Sequence, residues 1–213
     1  MSLADKLKET KANSANRIPA DVRAVMKQAS QALAGSGIGS ATPKVGEQFP
    51  DFNLKNHLFQ ARKLTDYIAT GPAIITFYRG GWCPYCNLEL KAYQAYLSEI
   101  KELGASIVAI SPELPDASLT THEKNELKFD VLSDSNSEFA QQLGLAFRLD
   151  DRLKPIYDDF GIDLQALNGN DSLLPLPSTF LVNKEATIVS AHVDTDHTQR
   201  QEPSDLVALI KSI

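Results

Sequence analysis

The sequence predicts an α/β fold, a central mixed β-sheet flanked by helices with an N-terminal helical extension, and three observations predict it. Two short runs of apolar and β-branched residues, Ala73–Tyr78 and Ser106–Ser111, read as buried strands. Between them Leu88, Ala92, Ala95, Tyr96 and Ile100 recur at helical spacing, so a helix connects the strands, and Gly104 stops it. Toward the C-terminus, Ser178–Val182 and Ala186–Val193 read as a strand pair across Asn183-Lys184-Glu185, followed by a last helix that Ser204 can cap and that runs through Ile213.

The remaining elements fill in around this frame. Residues 1–40 read as a helical extension: Ile18-Pro19-Ala20-Asp21 opens a helix with Pro near its first turn, and Val22, Val25, Met26, Ala29 and Leu33 follow helical spacing. The Gly35–Ser40 stretch ends it and reads as a flexible linker. The main domain spans residues 43–213. In it Phe49, Phe52 and Leu54 seed a short strand or hairpin, Leu119–Glu126 gives a weaker helix, Phe129–Leu132 a strand, and Glu138–Leu143 a helix stopped by Gly144. Residues 145–176 carry few periodic signals.

The chain has 213 residues, 43% hydrophobic and 23% charged, which is long enough for a core without disulfide staples. A net charge of -6 argues against a nucleic-acid or anionic-membrane surface. The Ala73–Tyr78 run is far shorter than the ~20 residues a membrane helix needs. The charged Met1–Glu9 segment lacks the apolar core of a signal peptide, so the expected location is cytoplasmic. Structural disulfides are rare there, and the only two cysteines, Cys83 and Cys86, sit three residues apart.

That pair follows a buried strand and opens a helix. The unpaired N–H groups and dipole of a helix start stabilise anions, so a cysteine there ionises readily, and the thiolate is the reactive form. Pro84 suits the first helical position, Gly80 and Gly81 permit a tight swing from strand to helix, and Trp82 can shield one side of the sulfurs. A structural zinc site needs four ligands, and His57, His122, His192 and His197 show no ligand spacing beside a second cysteine. Two inert core cysteines would leave the glycines and Pro84 without purpose. A catalytic dithiol needs no cofactor and no metal.

Trp82-Cys83-Pro84-Tyr85-Cys86 resembles the active site of the thioredoxin superfamily, with a glutaredoxin-like Cys-Pro-Tyr-Cys core. Three further blocks resemble its peroxiredoxin (alkyl hydroperoxide reductase/thiol-specific antioxidant) branch: Gly46–Leu54 as the entry strand, Cys86-Asn87-Leu88-Glu89 as the Cys-x-x-Glu signature, and Pro177–Val182 as the strand that begins with a cis-proline. The resemblance implies a thioredoxin-type fold over residues 43–213 and a Cys83/Cys86 dithiol–disulfide cycle. In that cycle a hydroperoxide is reduced and a thioredoxin-like or glutathione-linked reductant resets the pair, with a homodimer as one assembly. By this branch Cys86 is the peroxidatic cysteine and Cys83 resolves. By the thioredoxin resemblance the substrate is a protein disulfide, and Cys83, taken as the more exposed, attacks. A catalytically idle binding protein on the same fold is the third reading.

The departures are specific. Peroxiredoxins carry Pro-x-x-x-Thr-x-x-Cys. Counting back from Cys86 these positions hold Arg79 and Cys83, and from Cys83 they hold Thr76 and Gly80, so the hydroxyl that helps hold the peroxide has no counterpart. The slot of the family's second arginine holds Leu176 and Pro177. Arg79 is then the nearest candidate cation, with Arg148, Arg152 and Arg200 as remote options. Thioredoxin's buried acid on the preceding strand is replaced by Thr76 or Phe77. Tyr85 and Glu89 complete the candidate supporting residues. Glu89 either orients the active-site loop or merely suits the helix dipole, and Arg79 either lowers a thiol pKa or lies on a surface loop.

Overall fold

The computed structural model describes residues 1–213. Helices α1 (Leu3–Arg17) and α2 (Ala20–Gly35) precede a seven-stranded mixed sheet. Its strands are β1 (Asn53–Asn56), β2 (Ala61–Lys63), β3 (Ala73–Phe77), β4 (Ser106–Ser111), β5 (Asp130–Ser133), β8 (Ser178–Val182) and β9 (Ile188–Val193), in the order β2-β1-β5-β4-β3-β8-β9. A separate ribbon pairs β6 (Ala146–Arg148) with β7 (Leu173–Pro175). The other helices are α3 (Leu64–Ile68), α4 (Pro84–Glu102), α5 (Pro115–Lys124), α6 (Glu138–Gln142), α7 (Lys154–Asp159), α8 (Leu164–Asn168) and α9 (Pro203–Ile210). Strands β3, β4 and β5 run parallel, while β8 lies antiparallel to β3 and β9 antiparallel to β8.

Burial on both faces explains the unbroken apolar runs of β3 and β8, all of whose residues are buried. Alternation along β3 sends Ile74 into one core with Leu90, Tyr93 and Ile100 of α4, and Ala73, Ile75 and Phe77 into the other with Phe49, Phe52, Phe139 and Phe180. Each such fully buried side chain stabilises the fold by roughly 1.5–3 kcal/mol. The first core also takes Leu3 and Leu7 of α1 and Val207 and Ile210 of α9.

The N-terminal helices therefore seat on the sheet's own core. Ser2 and Asp5 form a capping box at the start of α1, and the Glu202 carboxylate accepts the Leu3 and Ala4 N–H groups. Two local expectations are corrected. Residues 36–42 form a series of hydrogen-bonded turns instead of a flexible linker: Gly37 and Gly39 take positive φ (79° and 82°), Ser40 and Thr42 N–H donate to Gly37 O and Gly39 O, a Cβ on Gly39 would lie 3.2 Å from Leu176, and Thr42 is buried. The last helix has Glu202 as its N-cap, places Ser204 inside its first turn and ends at Ile210. The silent stretch 145–176 holds three-residue strands, a three-residue 3-10 helix (Asp151–Leu153) and five- or six-residue α-helices, all too short for a periodic pattern to show.

Candidate active site

Beyond β3 the ladder continues for one residue, Tyr78 N–H donating to Ile110 O at 3.0 Å, and the chain then turns sharply through Arg79-Gly80-Gly81-Trp82. Both glycines are required. Gly80 has φ 147°, and a Cβ there would fall 2.3 Å from the indole nitrogen of Trp82; a Cβ on Gly81 would fall 2.0 Å from Thr121 Oγ1. The turn delivers Cys83 to the N-cap of α4 and Pro84 to its first turn. Cys86 follows within that turn.

Both cysteines are reduced and buried, Cys83 1% and Cys86 0% exposed, so the expectation of a more exposed Cys83 fails. Burial alone pushes the Cys83 thiol up. The hydrogen bond from the Cys86 thiol and the charges of Arg79 and Arg200 outweigh it and bring Cys83 down to about 6. Cys86 moves the other way, raised by burial, by the hydrogen bond it shares with Cys83, and by Cys83's charge. The pair thus holds one thiolate and one thiol.

Arg79 is a buried residue and not part of a surface loop. It donates to the Tyr157 hydroxyl, lies 4.9 Å from the Trp82 ring centroid, and leaves its Nε without a partner. Trp82 packs against both Arg79 and Tyr157, its ring centroid 5.4 Å from that of Tyr157, and also lies against the core that holds the cysteines. Of the remote arginines, Arg148 and Arg152 are exposed and paired with Asp151 and Asp150. Arg200 reaches the sulfurs: its Nη2 donates to Cys86 Sγ at 3.4 Å and its Nε to Glu89 Oε2 at 2.7 Å, both side chains 1% exposed. The His197 and Gln199 carbonyls accept from Nη1 and fix the guanidinium.

Glu89 is therefore the buried partner of the arginine on Cys86, a placement that helix-dipole preference alone does not explain. Burial pushes its carboxyl up to about 7 against the pull of Arg200. Tyr85 is 8% exposed and meets His197 edge-on, with ring centroids 5.4 Å apart. Pro177 departs from the cis-proline implied by the resemblance. Every peptide bond is trans, and Leu176 N–H donates to Leu145 O while Ser178 pairs with Phe77 and Val193, an extended path from ribbon to sheet that a trans bond serves. Pro177 instead lines a cavity of about 290 Å³ against α2, which Arg79, Tyr157 and His197 also line.

Sequence reasoning passed over Glu113, a second buried acid beside the motif, and Tyr157. Glu113 carries a readable signal, an acid just after the apolar run of β4, because adjacent parallel strands end at the same edge of the sheet. Tyr157 lies in the stretch without periodic signals. No group of three or more His, Cys, Asp or Glu side chains is arranged to hold a metal ion.

A family model described as AhpC/TSA family matches residues 45–191. The chain is 26% identical over 102 residues to Peroxiredoxin Bcp of Escherichia coli, covering 48% of this chain and 65% of that protein. It thus spans slightly under two thirds of that relative's length. It is also 25% identical over 168 residues to the thiol-disulfide oxidoreductase ResA of Halalkalibacterium halodurans, covering 79% of this chain and 78% of that one. The crystal structure of Peroxidoxin BcpB from Mycobacterium tuberculosis superposes with a TM-score of 0.63 at 21% identity, over 80% of this chain and 97% of that one. The sheet and its flanking helices are thus the thioredoxin-type fold.

Proposed function

The chain belongs to the AhpC/TSA family, and from that premise we propose that it is a thiol-dependent peroxidase that reduces hydroperoxides through Cys83 and Cys86. Residues 43–213 form the catalytic domain and residues 1–40 its extension. The Cys83 thiolate attacks one peroxide oxygen: an S–O bond forms, the O–O bond breaks, and the other oxygen leaves as alcohol or water after taking a proton. Cys83 is then a sulfenic acid. The Cys86 thiol, already hydrogen-bonded to Cys83, attacks that sulfur; the S–S bond forms and the hydroxyl leaves with the thiol proton as water. A thioredoxin-like or glutathione-linked dithiol returns two electrons and two protons. The reduced, low-pKa pair suits the cytoplasm, where a homodimer is a further partner state.

The observation that carries this reading is the burial of the sulfurs, 1% and 0% exposed. A peroxide of a few atoms can diffuse to them, whereas a folded protein's disulfide cannot until the covering segments open. Two arginines beside the pair stabilise the thiolate and the developing negative charge on the leaving oxygen. The contact of Arg200 with Cys86 favours a second assignment within the same chemistry, with Cys86 as the peroxidatic sulfur, as the family resemblance implies. Turnover decides the function. Hydrogen peroxide consumption with a thioredoxin system, compared with reduction of insulin disulfides, is expected to favour peroxide strongly. Faster insulin reduction makes the chain a thiol–disulfide oxidoreductase, and no turnover with either makes it an idle binding protein.

A further inference from the structure

Glu113 is a buried carboxylate that the sulfur chemistry above does not use. It follows β4 and is 2% exposed. One oxygen accepts the Gly81 N–H at 2.8 Å, and the other accepts the Tyr78 hydroxyl and the Thr121 hydroxyl, each at 3.1 Å. The carbonyl of Gly81 is held as well, by Asn87 Nδ2 at 2.8 Å and Lys124 Nζ at 3.3 Å. Gly81, at the entry to the cysteine turn, is thus held through its N–H and its carbonyl by side chains from just past β4, from α4 and from α5.

An uncharged amide would brace Gly81 equally well, and no arginine or lysine pairs with Glu113 to compensate the burial of its charge. The charge itself therefore has a use. The groups in contact with the carboxylate are the Tyr78 hydroxyl just past β3, the Gly81 N–H and the Thr121 hydroxyl of α5, while Lys124 of α5 holds the Gly81 carbonyl. Negative charge on Cys86 and negative charge on Glu113 oppose one another.

We propose that Glu113 is the positioning residue of the dithiol: through the Gly81 peptide it fixes the turn that sets Cys83 at the start of α4, and through its charge it keeps the shared thiolate on Cys83 and off Cys86. The inference rests on the redox reading of the pair. Burial raises the Glu113 carboxyl to about 6, so the charge is present in the neutral range and is lost as the pH falls through that value.

The test is brief alkylation of the reduced full chain with iodoacetamide across pH 5.5–8.5, with each cysteine's share mapped by peptide mass spectrometry. Glu113→Gln keeps an oxygen for the Gly81 N–H and removes the charge. It is expected to raise the ratio of Cys86 to Cys83 labelling roughly tenfold at neutral pH, the effect of one pKa unit, while Glu113→Asp stays closer to the parent. Loss of bracing alone would change both cysteines together and leave the ratio unmoved, which overturns the proposal. Should Glu113→Gln not fold, Thr121→Val removes one donor to the carboxylate and is expected to move the ratio in the same direction; an unchanged ratio there overturns the proposal equally. No peroxide enters the assay, so an inactive parent enzyme would defeat the proposed function without deciding this result.

Discussion

Replacing Arg200 with Met separates what the guanidinium does for the sulfurs from what it does for the fold. Arg200 is the sole cation on Glu89, and both side chains are 1% exposed. Removing one partner of such a pair costs about 3–5 kcal/mol where the other charge stays buried and unpaired, as it does for Glu89 once the pH is high enough to keep its carboxyl ionised. At roughly 2–4 °C per kcal/mol for a chain of this size, the melting temperature should fall by about 6–20 °C. The thiolate loses one of its two cations, and loss of an opposite charge at close range shifts a pKa by about 1–3 units. A one- to two-unit rise in Cys83 from about 6 takes its thiolate fraction at pH 7 from about 90% to about 10–50%. Urea unfolding reads the first quantity, and the pH profile of ultraviolet thiolate absorbance reads the second. The double variant Arg200→Met/Glu89→Leu should recover most of the stability, since no charge is left unpaired, yet keep the raised thiol pKa. A Cys83 pKa that stays near 6 in Arg200→Met would refute the electrostatic role of Arg200. A double variant no more stable than the single one would refute the ion-pair account of stability.

Two further outcomes follow from the same geometry. Burial raises Glu89 from 4.5 to about 7 and Glu113 from 4.5 to about 6, so ionising them opposes folding: the reduced protein should lose on the order of 2–5 kcal/mol of stability as pH rises from about 4.5 to 7. Cys83, depressed from 9.0 to about 6, acts with the opposite sign, adding stability as pH rises from about 6 toward 9. Denaturant unfolding of reduced and disulfide forms across this range should show the second rise only in the reduced form. Gly81→Ala forces a Cβ to within 2.0 Å of Thr121 Oγ1, and should cost about 1–3 kcal/mol. It should also slow Cys83 alkylation, since the displaced turn carries the helix start.

What could be read in advance follows a physical divide. The strands β3, β4 and β8 show in the sequence as short apolar, β-branched runs and helix α4 as a helical period, each sustained over five or more residues. The Cys-x-x-Cys pair shows because its chemistry is local: a strand, two glycines, a proline and a helix start in sequence. Its electrostatic surroundings do not. Arg200 lies 114 residues from Cys86 and 111 from Glu89, and reaches them only because the segment after β9 folds back over α4. Glu113 arrives from β4, the parallel neighbour of β3. The seating of α1 rests on Leu3, Leu7 and the carboxylate of Glu202, contacts about 200 residues apart that no local pattern encodes. Pro177 marks the limit of resemblance: its neighbours match the family's strand, while its trans bond follows from the path of this chain out of the β6–β7 ribbon.

The central claim, that the buried pair reduces hydroperoxides with Cys83 as the attacking sulfur, is tested most directly by stopped-flow oxidation of the reduced protein, watching the single tryptophan, Trp82, beside the site. The account predicts that hydrogen peroxide oxidises the parent far faster than a free thiol and yields the Cys83–Cys86 disulfide. Cys86→Ser should still react and accumulate a sulfenic acid on Cys83, while Cys83→Ser should lose the fast phase. Persistence of the fast phase in Cys83→Ser and its loss in Cys86→Ser would contradict the assignment of the attacking sulfur. Oxidation of the parent no faster than that of a free thiol would contradict the peroxidase reading itself.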